Sequence, residues 1–248
     1  MRLVVAVGVL ATLLLADEGF SSYAKYKVGY GFFTLGEARA SLEIAPDGTY
    51  ETAVEVRTRG LARRLSGDRR ERHESRGRVV DGLLVPDRFE ATVTYRDRKR
   101  FKGYYFDHEH QVVNEIRERC RSGECSHRSN LLDEYAPDDL LTLYHNVGAR
   151  FEEKGHQRLE LAAMGSDEPV VIERPKGDLL REAKRTFDTE GLYLVVQVNQ
   201  EIFTSDKGEL FLNIDGDRVA TRAVLKRTLL FGDIWGELEE KRVKGEWQ

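Results

Sequence analysis

The sequence is short of the residues that most chemistry needs. Its 248 residues include two cysteines, two methionines, two tryptophans and five prolines. It has no Gly-x-Ser-x-Gly elbow, no His-Glu-x-x-His and no glycine-rich phosphate loop. The common hydrolase, zinc-protease and nucleotide-binding signatures are therefore absent. His73-Glu74 and His108-Glu109 open like metalloprotease motifs, but neither has a second histidine at the required spacing, and both fall in strand-like sequence. Few prolines and no low-complexity tract argue against disorder. The 43 acidic residues make some carboxylate pair inevitable, so their number is no argument for glycoside hydrolysis.

Long apolar runs are also missing, with one exception. Leu3 to Ala16 carries no charge, follows Arg2, and ends where Ala16 meets Asp17 and Glu18. This is the pattern of a secretory signal peptide over residues 1–16, cleaved near Ala16. The run is shorter than the ~20 residues that span a bilayer, although an uncleaved N-terminal anchor is the alternative. No cysteine lies near Ala16 to carry a lipid. The expected mature chain, residues 17–248, is long enough to bury a core as a single β-rich domain.

What is abundant is alternation with a period of two. In "GEARASLEI", Ala38, Ala40, Leu42 and Ile44 point one way, and Glu37, Arg39, Ser41 and Glu43 the other. Tyr50, Thr52, Val54 and Val56 repeat the pattern, as do Phe89, Ala91, Val93 and Tyr95. Turn signals separate these runs: Pro46 to Gly48, Asp81-Gly82 and Asp215-Gly216. "GLYLVVQV" is more continuously apolar and reads as a strand buried on both faces. The spacing predicts an all-β fold, either one large curved antiparallel sheet or an open β-barrel, with roughly twelve to fourteen strands.

One segment breaks the period. In "APDDLLTLYHNVG", Leu140, Leu143, Tyr144 and Val147 recur at helical spacing. Pro137 and the acidic pair Asp138-Asp139 suit a first turn, and Gly148 suits the stop. The expectation is one short helix covering an end of the sheet, with strand resuming by Leu159 and Leu161.

Three stretches resemble the bacterial "domain of unknown function 3108" family. They are "YKVGYGFFTLGEARASLEI", "PDDLLTLYHNV" and "GELFLNIDGDRVATRAVLKRTLLFGDIWGELEE". The order Pro137-Asp138-Asp139-Leu140 departs from the family's Asp-Pro-Leu, and Val219-Ala220 stand where a proline often follows the turn arginine. The resemblance spans Tyr23 to Lys241. It implies an exported, β-rich envelope protein and supplies no activity, cofactor or catalytic residue.

Four groups of residues are candidates for function. Cys120 and Cys125 are the only cysteines, flanked by alternating runs, with Arg121 to Glu124 as a hairpin loop. In an oxidising compartment they would pair as a disulfide that pins the hairpin. A redox pair would favour a spacing of two residues, and a zinc site would need a second pair. His108 and His110 would face one side of a strand and could hold a metal, or they lie in a polar turn between "FKGYYF" and "QVVNEI".

The third group is an arginine block. From Arg57 to Lys102 there are 15 basic and 7 acidic residues. Arg63, Arg64, Arg69 and Arg70 at its centre could bind an anionic ligand through bidentate forks, or pair internally on a wet sheet face. Fourth, the aromatic clusters Tyr23 to Phe33 and Phe101 to Phe106 would either fill a core or line an apolar cavity. Trp247 falls in a tail expected to fray.

The reading that follows is an exported periplasmic protein without a cofactor, leaning away from enzymatic activity. It would be a binding or assembly module for an anionic or lipidic envelope ligand or a protein partner. A lipid, a glycan or an envelope protein fits, with peripheral membrane contact, and nucleic acid does not. A periplasmic hydrolase or metal-dependent enzyme is the alternative.

Overall fold

The computed structural model describes residues 19–154, 157–166, 168–187, 190–197, 209–228 and 232–247. The expected signal peptide and its cleavage point near Ala16 lie outside the described residues.

Long antiparallel hairpins dominate. β1 (Phe20–Tyr30), β2 (Phe33–Ile44) and β3 (Thr49–Thr58) form a meander, followed by the short helix α1 (Gly60–Ser66). β4 (Arg70–Val80), β5 (Leu83–Tyr95), β6 (Arg98–Asp107), β7 (Val112–Arg121) and β8 (Glu124–Leu132) continue it. Each strand pairs with its sequence neighbour. The turn between β4 and β5 is Asp81-Gly82 with φ 51° and 75°, the mirror-image turn whose twist matches the strands.

After β8 the chain makes the two-residue strand β9 (Asp138–Asp139) and enters α2 (Leu140–Lys154). Then come β10 (Arg158–Leu161), β11 (Ala163–Met164), β12 (Val170–Glu173), α3 (Gly177–Phe187) and β13 (Leu192–Gln197). The last strands are β14 (Glu209–Ile214), β15 (Ala220–Thr228) and β16 (Gly232–Lys244). β16 pairs with β1, so the two ends of the chain meet inside one 14-stranded sheet of order β10-β12-β13-β14-β15-β16-β1-β2-β3-β4-β5-β6-β7-β8. β10 and β8 are its two edges, and the sheet does not close. β9 and β11 form a separate parallel pair. Edge strand β8 is exposed almost throughout and carries Glu124, His127 and Arg128, charged or polar groups that discourage strand addition.

Helix α2 packs on one face of the sheet. Its Leu143, Val147 and Phe151 form a core with Ile172, Leu194 and Leu212 of β12, β13 and β14. Helix α3 packs on the other face, where Ala183 and Phe187 meet Val195, Phe211 and Val224. β13 lies between the two helices, which is why "GLYLVVQV" is apolar on both sides: Leu194, Val195 and Val196 are all buried.

The fold departs from the expectation of a single helix. Among the described residues there are three. α1 arises inside the arginine block, too short to show a period. α3 carries Leu179, Ala183 and Phe187 at helical spacing, a signal overshadowed by the strands around it. α2 runs past Gly148 to Lys154, because Gly148 sits in open space and needs no special backbone angle. Asp138 and Asp139 precede the helix rather than forming its first turn.

The aromatics divide three ways. Tyr104 is buried with Phe89 and Val113 in a second core. Phe32 and Phe33, in contrast, are exposed at the β1–β2 turn. Trp247 does not fray: its ring lies 6.0 Å from Phe20 and 6.1 Å from His145. Trp235 lies across Gly29, where any Cβ would collide with its ring, and its indole N–H donates to the Gly31 carbonyl at 3.0 Å.

Candidate ligand groove

The site is built from α2 outward. Asp139 caps the helix: its Oδ1 accepts the amides of Leu141 (2.7 Å) and Thr142 (3.0 Å), while Thr142 Oγ1 accepts the Asp139 amide (2.9 Å). This satisfies N–H groups that a helix start leaves unpaired. The other carboxylate oxygen accepts Ser75 Oγ at 2.6 Å, and Tyr50 OH lies 3.0 Å from the same hydroxyl. Burial pushes the Asp139 carboxyl up to about 6, against the pull of the Ser75 and helix N–H hydrogen bonds. Neighbouring Asp138 is shifted upward too, again by burial, opposed by Arg150, which pairs with it.

One turn further, His145 Nε2 lies 2.9 Å from Thr52 Oγ1. The Thr52 hydroxyl already donates to the Ser41 carbonyl at 2.9 Å, so His145 Nε2 carries the hydrogen and donates. Burial, with Arg218 nearby, pushes this imidazole down to about 4. These contacts lock the start of α2 to β3 and β4.

The apolar side of α2 leaves a space. Leu143 and Val147, with Val54 and Val56 of β3 and Ile172, Leu194 and Leu212 of the far strands, line a groove of about 360 Å³. That is at the small end of natural ligand pockets, and the lining is of the apolar kind such pockets use. Its one charged corner is Glu71 and His73 of β4, with His73 Nε2 3.5 Å from Glu71 Oε2. The Glu71 carboxyl is held below its usual range, first by the His73 hydrogen bond and then by Arg69. No sequence motif marked this groove, because strands far apart in the chain contribute to it.

The residues singled out from sequence scatter. Cys120 and Cys125 are directly opposite in β7 and β8, with Cα atoms 4.0 Å apart, and are joined as a disulfide. The loop is tighter than expected, only Ser122-Gly123, with φ 51° and 90°. His108 and His110 lie in the β6–β7 turn, not on a strand. His108 contacts Tyr135 OH and the Pro86 carbonyl, each at 2.6 Å, while His110 pairs with Asp107 at 2.8 Å. Their nitrogens face separate protein partners. Among the described residues, the group with metal-ligand spacing is Glu118 with Cys120 and Cys125, and those two sulfurs are bonded to each other.

The arginine block is largely neutralised from within. Arg63 and Arg70 share Asp68, Arg69 pairs with Glu71, and Arg72 bridges Glu55 and Glu74. Arg64 on α1 has no ion-pair partner among the described residues. Arg59 and Arg39 hold Glu37, a buried carboxylate that alternation had placed on the wet face.

Residues 25–143 match the family model described as "Protein of unknown function (DUF3108)". The match runs from the middle of β1 to the start of α2, and so takes in the first two resembling stretches, the second as far as Leu143. No curated protein matches the sequence. In fold the chain is similar to a crystal structure described as a "Beta-barrel-like Protein of Domain of Unknown Function DUF1849 from Brucella abortus". The TM-score is 0.53 at 8% identity, covering 91% of this chain and 98% of that one.

Proposed function

Because residues 25–143 belong to the DUF3108 family, whose description names no activity, we propose a function from the geometry: an exported, non-catalytic envelope module that binds the apolar chain of an amphiphile. The observation that carries this reading is the groove between α2 and the two halves of the sheet, lined by Val54, Val56, Leu143, Val147 and Leu212. An apolar chain buries its surface there at about 25 cal/mol per Å² of area removed from water. The Glu71–His73 pair gives the groove one polar end. Export is supported by the uncharged run Leu3 to Ala16 and by a disulfide of the kind that persists in oxidising compartments.

Peripheral contact with a lipid surface belongs to the same proposal. Phe32 is fully exposed, and Phe33, Leu61 and Leu65 are more than two-thirds exposed. They sit on the β1–β2 turn and on α1, alongside Arg63 and Arg64. Exposed apolar side chains next to cations suit a membrane interface.

The test is mass spectrometry of solvent extracts from the purified full chain. The proposal expects a chain-bearing amphiphile in wild type and its loss in Val56→Trp, which fills the groove. Equal recovery from both proteins would contradict it.

A further inference from the structure

The strongest unneutralised charge lies where the C-terminal end of the arginine block, on β6, faces β7. In the β6–β7 register, Arg98 stands opposite Arg121 and Arg100 opposite Arg119. Like charges directly opposite one another destabilise an antiparallel pair. None of the four has a carboxylate within ion-pair distance among the described residues. All four point to the sheet face that carries Tyr104 and Glu115, since strand side chains alternate.

A cleft of about 640 Å³ opens over them, bounded by Tyr95 on β5 and by Glu124 and Ser126 on β8. The Arg98 and Arg100 guanidinium groups lie over the Tyr95 ring at 5.6 and 5.7 Å, which holds two of the four forks in place. The nearby acids are Glu124 and Asp97, and Asp97 accepts the Ser122 hydroxyl at 2.6 Å. They leave the cleft with net positive charge.

We propose that this cleft binds a phosphate-bearing headgroup. Arginine forks match phosphate oxygens in pairs, and two opposed arginine pairs need more negative charge than one carboxylate brings. The headgroup therefore carries at least two negative charges, as a phosphomonoester or pyrophosphate does. Register connects this cleft to the apolar groove: Glu71 stands opposite Val93, and Val93 opposite Arg100, on one face. At about 4.8 Å per strand, the arginines begin about 10 Å from the groove's polar end. The two sites together fit an amphiphile with a phosphorylated head and a single apolar chain. That pairing rests on the groove reading, whereas the anion site stands on the arginines alone.

Calorimetric titration of the full chain separates the two. The probes are dodecyl phosphate, dodecanoate, uncharged monododecanoyl glycerol and inorganic pyrophosphate. In Arg100→Ser/Arg119→Ser, dodecyl phosphate and pyrophosphate should bind roughly a hundredfold more weakly, about tenfold per arginine lost. Monododecanoyl glycerol should be unaffected. The variant should melt no lower than wild type, because a like-charge pair is relieved.

Dodecyl phosphate affinity within about twofold of wild type in that variant would overturn the cleft assignment. If dodecanoate and monododecanoyl glycerol then still bind, the groove reading survives alone. Equal wild-type affinity for dodecanoate and dodecyl phosphate would overturn the selection of phosphate. Arginine-dependent pyrophosphate binding, with no binding of dodecanoate or monododecanoyl glycerol, would support the cleft and reject the groove.

Discussion

Asn146 on α2 pairs with both backbone groups of Leu84 on β5: Oδ1 accepts the Leu84 amide at 2.8 Å, and Nδ2 donates to its carbonyl at 2.9 Å. The side-chain amide stands where a neighbouring strand would, at a point beyond the paired part of β6, which begins opposite Arg88. Its Nδ2 also donates to Asp138 Oδ1 at 2.9 Å. All of this is buried. Asn146→Ala leaves a buried amide and carbonyl unpaired, at about 1–3 kcal/mol each. The expected loss is about 2–6 kcal/mol in urea unfolding, with an unchanged m-value. A loss under about 0.5 kcal/mol would show that the helix is not anchored there.

Asp139 and His145 oppose one another in the pH dependence of stability. The Asp139 carboxyl is raised from 3.8 to about 6, so the folded state binds its proton more tightly. Its contribution is full below the unfolded value and is lost as pH rises through 6. The His145 imidazole is lowered from 6.5 to about 4, so the unfolded state binds the proton in that window, and stability rises with pH. Each effect is about 3 kcal/mol, and they largely cancel. Asp139→Asn reproduces the protonated acid and should expose the rise between pH 4 and 6.5. His145→Gln should expose the fall, which Asp138 reinforces. Urea midpoints across this range check both, and two variants that simply track wild type would refute the pairing.

The disulfide should matter only locally. Cys120–Cys125 closes a loop of six residues, Cys120 to Cys125 inclusive, for which chain entropy gives about 2 kcal/mol. Cys120→Ser/Cys125→Ser should lose about that much in thermal unfolding and keep its strand circular dichroism. Thiol titration of the native protein should find no reactive cysteine.

Membrane contact at the β1–β2 turn has its own readout. Sedimentation with phosphatidylglycerol-containing vesicles should carry wild type down at low salt. Phe32→Ser/Phe33→Ser should reduce the bound fraction severalfold without lowering stability, since both rings are exposed. Equal sedimentation of the two proteins would remove this surface from the account.

The strands were legible because one face of the sheet is buried and the other wet, so Leu42, Tyr50 and Phe89 fall in step with the chain's alternation. The turn at Asp81-Gly82 was legible because positive φ restricts residue choice, whereas the loop between the cysteines was read two residues too long. The groove was not, since Val54, Val147 and Leu212 come together only through tertiary packing. Nor was the charge pattern. Composition drew attention to Arg63, Arg64, Arg69 and Arg70, of which all but Arg64 carry partners close by in sequence, whereas the opposed arginines of β6 and β7 stand out only once register sets Arg100 opposite Arg119. Glu37 was misplaced because alternation cannot foresee two arginines closing over an outward carboxylate.

The groove is tested most directly by isotope-filtered NMR of the full chain with dodecyl phosphate. The account predicts intermolecular contacts from the chain methylenes to the methyl groups of Val54, Val56 and Leu212, all absent in Val56→Trp. Contacts confined to Leu61 and Leu65 on the surface of α1, with none to the groove methyls, would contradict it.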